Sequence, residues 1–201
     1  MFLKAMDRLK QQIAFIVELD RLKTVLRQSW LTDGGRRENS AEHSWHIALM
    51  GLVLAEYANA PVNLPRVIAM LLVHDVVEID AGDVLVYDEA GNLDKAERER
   101  RAAARIYGLL PPDQARELCA LWEEFEAQRT DEAKFAAALD RLMPLLHNFL
   151  TEGRTWRQHG ITADRVLARN AAIGEGSTAL WRYARELIEE AVERGYLPPA
   201  P

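Results

Sequence analysis

LLVHDVVEIDAGD, residues 71–83, sets His74 and Asp75 side by side at the end of an apolar run, with Glu78, Asp80 and Asp83 close behind. Working back from it, Val67, Met70, Leu71, His74 and Glu78 fall at i, i+3, i+4, i+7 and i+11, the spacing of one helical face. His74 and Glu78 therefore continue the stripe that the apolar residues bury, and Asp75 lies about 100° round from His74. A bare carboxylate there costs on the order of several kcal/mol unless it is paired or ligated. Something must compensate it.

Helical spacing recurs in nearly every segment between breakers, and nothing alternates for long with the two-residue period of a half-buried strand. The prediction is all-α and single-domain, since 201 residues suffice for one well-buried core. Residues 1–195 form that domain, and 196–201 are expected to fray as a tail. A first amphipathic helix is expected from about Phe2 to Arg27, through Leu9, Ile13, Ile16, Val17 and Leu22, followed by a loop at TDGGRR. The second helix should be capped by the Ser40 hydroxyl and stop before Asn59–Pro65. Pro65 then opens a third helix, PRVIAMLLVHDVVE, and a loop covers Asp80 to Leu93. Further helices are expected at Asp94–Tyr107, Pro112–Ala127, Asp131–Thr151, Thr162–Ile173 and Thr178–Arg194.

The conflict at His74 repeats elsewhere. His43 shares a face with Ile47, Met50 and Leu54, and Asp140 flanks the stripe of Phe135, Leu139, Leu142 and Leu146. Three helices each offer a polar group to one core. A divalent cation held by His43, His74, Asp75 and Asp140 reconciles this, and the mixed nitrogen and oxygen set suits Mn, Co, Fe, Zn or Mg. The alternative is a set of hydrogen-bonded core histidines and ion pairs. His46 and His159 are expected at the surface and His147 in the core. Trp45, Trp122, Trp156 and Trp181 are expected to pack cores or interfaces.

The formal charge of −6 argues against a broad hold on nucleic acid polymers or anionic membranes. No apolar run is long enough to span a bilayer, and MFLKAMDRLKQQ has no signal core. The single cysteine, Cys119, excludes an intrachain disulfide and reads as a buried structural thiol, so a cytoplasmic protein is expected.

The order H…HD…D, in the blocks RRENSAEHSWHIALM, HDVVEIDAGDV and AKFAAALDRL, resembles the HD-domain metal-dependent phosphohydrolases, and within them the small 5′-deoxynucleotidase branch. The resemblance runs from roughly Leu22 to Phe149. It implies a helical HD-domain fold with the metal site between helices, ligands His43, His74, Asp75 and Asp140, and a homodimer. It also implies Glu78 as catalytic acid or base beside Asp75, and Asp83 near the substrate sugar. Arg27 and Trp30, in KTVLRQSW, match the phosphate-orienting arginine and tryptophan of that branch, although in the bacterial enzymes the two are adjacent. Arg37, just before the His43 helix, is a second phosphate candidate. The VLVYD after Asp83 lacks the prolines and threonine of the bacterial pattern, which leaves nucleotide choice open.

The implied activity is hydrolysis of a (deoxy)nucleoside 5′-monophosphate, a small-molecule partner. The alternatives are an HD-type hydrolase of another phosphoester (cyclic nucleotide, nucleoside di- or triphosphate, alarmone), or a non-catalytic helical binding protein with a structural metal.

Overall fold

A computed structural model describes residues 2–88, 91 and 93–200, with side chains from Asp7 onward. Helix α1 (Phe2–Leu19) passes through a 3₁₀ turn (Asp20–Thr24) into strand β1 (Leu26–Trp30), antiparallel to β2 (Arg37–Asn39). There follow α2 (Ser40–Leu54), a 3₁₀ turn at Ala55–Tyr57, α3 (Leu64–Val73), a 3₁₀ turn at His74–Val77 and α4 (Glu78–Ala81). Then come α5 (Lys95–Tyr107), α6 (Pro112–Ala127), α7 (Asp131–Leu150), α8 (Arg154–Gln158), α9 (Ala163–Asn170), α10 (Ile173–Gly176) and α11 (Thr178–Glu193).

The fold is helical as expected, with the two-stranded ribbon as the departure. Residues 26–30 leave the helical path because a partner becomes available seven to thirteen residues on. The chain reverses at Gly34, where φ is +69° and Gly34 N donates to Leu31 O at 2.8 Å. The ribbon register pairs Leu26 with Asn39 and Trp30 with Arg37.

The third helix is also not continuous. His74 Nδ1 bonds the Leu71 carbonyl at 2.9 Å, and Tyr107 Oη donates to the Val73 carbonyl at 2.9 Å. Those are the acceptors a continuing α-helix would offer to the amides of residues 75 and 77, and the chain tightens to a 3₁₀ turn there. Gly82, at φ +74°, ends α4. At the start of α2 the cap is Asn39 rather than Ser40. Asn39 Oδ1 accepts from Glu42 N at 3.0 Å while Glu42 Oε1 accepts from Asn39 N at 2.7 Å, a reciprocal capping box.

Helix α7 is the hub, packed by α2, α3, α6, α10 and α11. Its Phe135, Leu139 and Leu142 meet Ile47, Val67, Met70 and Leu71 in the larger apolar cluster. A second cluster gathers Phe15, Leu22, Val76, Val77, Ile106 and Tyr107. His74 and Asp75 fall on the chain between these clusters, which is why their polar groups are enclosed. Gly176 allows α10 to lie on α7, since a Cβ there would sit 2.2 Å from the Lys134 carbonyl oxygen. Within α7, Pro144 supplies no amide to the carbonyl of Asp140.

Two further readings change, and the apolar surface falls on particular helices. The tail does not fray at its start: Leu197 is buried and the Pro198 carbonyl accepts from Ala163 N at 2.9 Å. Cys119 is half-buried, its thiol pointing to Glu123 Oε1 at 3.6 Å. Helix α11 spends its apolar face on its own core through Leu180, Ala184, Leu187 and Ile188. The exposed apolar stripes lie instead on α1 (Leu9, Ile13, Ile16, Val17) and α2 (Trp45, Leu49, Leu52, Val53). No described helix is long and apolar enough to cross a membrane.

Candidate metal centre and its pocket

His43 projects from the first turn of α2, His74 and Asp75 from the 3₁₀ turn, and Asp140 from the middle of α7. The three segments bring them together. One oxygen, Asp140 Oδ1, lies 3.0 Å from His43 Nε2 and 3.6 Å from His74 Nε2, and Asp75 Oδ1 lies 3.0 Å from His74 Nε2. Ligand atoms of His43, His74 and Asp75 all fall within 4.8 Å of one another. Both histidines and Asp75 are buried.

The donor chemistry fits a cation. With Nδ1 engaged by the Leu71 carbonyl, the neutral His74 ring directs the Nε2 lone pair inward, where that buried atom has no hydrogen-bond partner. Lone pairs and carboxylate oxygens converging on one point repel unless a positive charge lies between them. Burial works against charge on His74, but the neighbouring Asp75 and Asp140 carboxylates raise its pKa well above the ordinary value. Burial likewise opposes ionisation of Asp140, yet the hydrogen bond to His43 and the nearby His74 ring hold its pKa well below the usual range.

Arg27, from β1, closes one side. Its Nη1 donates to Asp75 Oδ2 at 2.5 Å, with Nε 3.5 Å from Glu38 Oε2 and Nη2 3.9 Å from Asp140 Oδ1. Glu78 accepts a hydrogen bond from Ser40 Oγ at 2.6 Å, and burial, reinforced by the Asp75 charge, pushes its pKa up to about 8. Asp83 Oδ2 accepts from Gln28 N at 3.2 Å, tying the loop to β1, and burial raises its pKa. Asp80 pairs with Arg105 and lies 3.7 Å from Arg21, outside this group.

Arg27, Asp75, Glu78, Asp83 and Asp140 all line one pocket, which continues along Val84–Tyr87, Lys95, Arg141, Asn148, Trp156 and Arg169. Trp30 and Arg37 do not line it. The Trp30 ring is stacked by Arg154 at 3.2 Å and lies 5.7 Å from the Arg37 guanidinium. Arg37 donates to Gln28 Oε1 at 2.5 Å, so both reach the pocket only through its wall.

Glu38 is the residue that sequence reasoning missed. Fully buried, it places Oε2 3.2 Å from His43 Nδ1 and 3.7 Å from His147 Nδ1. A carboxylate behind a histidine orients the ring so that Nε2 faces inward. The sequence signal was its position five residues before His43, on the strand that abuts α2. Buried His147, its pKa lowered by burial, and exposed His46 also approach the Glu38 carboxylate.

A model of the HD domain matches residues 19–181. The chain belongs to the HD-domain family. This HD-domain protein is 34% identical over 135 residues to human 5′-deoxynucleotidase HDDC2, covering 67% of the chain and 65% of the human protein. It thus spans just under two thirds of that relative. The 5′-deoxynucleotidase hdd1 of Schizosaccharomyces pombe is 26% identical over 191 residues, covering 92% and 86%. A crystal structure from Magnetospirillum magnetotacticum MS-1, described as a predicted metal-dependent phosphohydrolase, superposes with a TM-score of 0.91. It is 60% identical and covers 96% of this chain and 100% of that one. A Pyrococcus furiosus protein described as conserved hypothetical shares the fold at a TM-score of 0.61, with 22% identity over 90% of this chain and 99% of its own.

Proposed function

We propose that this HD-domain protein is a divalent-metal-dependent phosphohydrolase that converts (deoxy)nucleoside 5′-monophosphates to nucleoside and phosphate. The observation that carries this reading is the buried His74 Nε2, without a hydrogen-bond partner, converging with His43 Nε2 and two carboxylates at a pocket that also holds Arg27 and Glu78. The names of the human, fission-yeast and Magnetospirillum relatives support it.

His43, His74, Asp75 and Asp140 hold the metal in this reading. When bound, the ion would polarise the phosphoryl group as a Lewis acid and lower the pKa of a water toward neutrality. Arg27, already anchored by Asp75, adds positive charge where the phosphoryl oxygens gather it. Glu78 is kept protonated near neutrality by burial and positioned by Ser40 Oγ, so it delivers its proton to the departing 5′-oxygen as general acid. Asp83 steadies the β1 wall and stands where the sugar would enter. Trp30 and Arg37 act at one remove, by fixing Gln28 and the ribbon.

The cytoplasm is the compartment that suits a chain with one unpaired cysteine. The exposed apolar stripes of α1 and α2 suit a homodimer, whose mass light scattering reads directly.

The decisive assay is phosphate release from deoxy- and ribonucleoside monophosphates with Mn²⁺ or Co²⁺ added to chelated protein. His74→Ala and Asp75→Ala should abolish it while circular dichroism retains the helical signal. Full turnover in either variant defeats the assignment.

A further inference from the structure

Two guanidiniums in the pocket wall have no carboxylate partner among the described residues. Arg141 follows Asp140 on α7 and Arg169 sits near the end of α9, and both line the cavity shared with Arg27, Asp75, Glu78 and Asp140. The other two cations of that wall are neutralised, Arg27 by Asp75 at 2.5 Å and Lys95 by Glu99 at 3.5 Å. Among the described residues Arg141 and Arg169 form no ion pair. Arg141 has one long contact, Nη2 to Gln128 Oε1 at 3.4 Å, and its buried Nε has no hydrogen-bond partner.

The two arginines also act on each other. Arg169 reaches solvent, yet enough protein surrounds it that burial, followed by the Arg141 charge, lowers its pKa against the pull of Asp140. Like charges held in one partly desolvated wall repel, and an anion seated between them removes that repulsion and fills the open side of the Arg141 fork. Arginine presents paired N–H groups that match phosphate oxygens. In the phosphohydrolase reading the scissile phosphate does not account for them, because Arg27 and the metal held by His43, His74, Asp75 and Asp140 would already offset its charge.

We propose that Arg141 and Arg169 form a second anion subsite, and that the pocket takes a nucleotide carrying a second phosphate beside the one it cleaves. This rests on the phosphohydrolase reading for the position of the first phosphate. The second phosphate belongs either to the ribose, as in a nucleoside 3′,5′-bisphosphate, or to the chain, as in a nucleoside 5′-diphosphate.

The test compares deoxyadenosine 5′-monophosphate, 3′,5′-bisphosphate and 5′-diphosphate in two readouts. Titration calorimetry in chelator measures binding without turnover, and initial rates with Mn²⁺ measure KM and kcat. The parent should bind one of the two doubly phosphorylated ligands at least about tenfold more tightly than the monophosphate, and which one identifies the source. In Arg141→Gln and in Arg169→Gln that ratio should fall toward one. Arg169, at the solvent-reaching edge, provides the informative variant if the Arg141 substitution unfolds the protein. Equal binding of all three ligands by the parent overturns the proposal, as does a ratio that survives both substitutions. If no ligand releases phosphate but the binding ratio behaves as expected, the hydrolase reading falls and the subsite stands.

Discussion

Replacing Arg27 by methionine keeps the side chain's length and apolar stem while deleting the charge shared by three acids. Arg27 Nη1 touches Asp75 Oδ2 at 2.5 Å, Nε approaches Glu38 Oε2 at 3.5 Å and Nη2 approaches Asp140 Oδ1 at 3.9 Å. The side chains of Arg27 and Asp75 are each 11% exposed and that of Glu38 1%, so solvent screening does little to soften the loss. Breaking a buried pair of this kind costs about 3–5 kcal/mol, chiefly from the carboxylates left uncompensated. For a domain of this size each kcal/mol lowers Tm by roughly 2–4 °C, so the metal-free variant should melt roughly 6–20 °C below the parent. A divalent cation bound by Asp75 and Asp140 restores positive charge beside two of the three acids. The deficit should therefore shrink in saturating Mn²⁺, since the variant, freed of the competing guanidinium charge, binds the ion more tightly and gains more from it by mass action. Thermal melts and urea titrations in chelator and in Mn²⁺ read both quantities. A variant that melts with the parent in chelator, or a deficit that widens with Mn²⁺, refutes the reasoning.

Two other outcomes follow from the same cluster. Glu38→Gln keeps the shape but weakens the hold on His43 Nδ1, 3.2 Å away, and should reduce Mn²⁺ affinity about 10–100-fold with helicity retained; metal titration showing parental affinity would remove Glu38 from the site. Glu78, raised from 4.5 to about 8 by burial and then by the Asp75 charge, holds its proton in the folded state after the unfolded chain has released it. Stability from this group is complete below about 4.5 and is lost as pH rises to about 8. Chelated parent should thus show a falling urea midpoint over that interval, and Glu78→Gln should flatten the fall; parallel profiles would show that Glu78 does not carry it.

Several elements were legible because their signal is local. The i, i+3, i+4, i+7 stripe through Val67, Met70, Leu71 and His74 announces both a buried helix face and the unwanted polar groups on it, and the same holds around His43 and Asp140. Pro65 in the first turn of α3 reads from one residue type. The expected end of the first helix at Arg27 misled, since the apolar spacing runs on through Leu22, and only β2, reached through the Gly34 turn, makes an extended conformation preferable from Leu26. Ser40 misled in a similar way: as a hydroxyl before a helical run it resembles a cap, while Asn39 takes that role and leaves Ser40 to bond Glu78, 38 residues away. The short helix Arg154–Gln158 carries too few turns for its period to register.

From sequence alone came the helical class, the inward-facing imidazoles and carboxylates, and the need for a compensating cation. Those are consequences of residue order and of the high energy of buried charge, which hold whatever the helices pack against. Tertiary structure decided the rest: that Glu38 stands behind His43, that Arg27 answers Asp75, that α1 rather than α11 keeps an apolar face in solvent, and that Arg141 and Arg169 share one wall unpaired. Each of these depends on which distant segments meet, and electrostatic partners drawn from separate elements leave no periodic trace in the chain that encodes them.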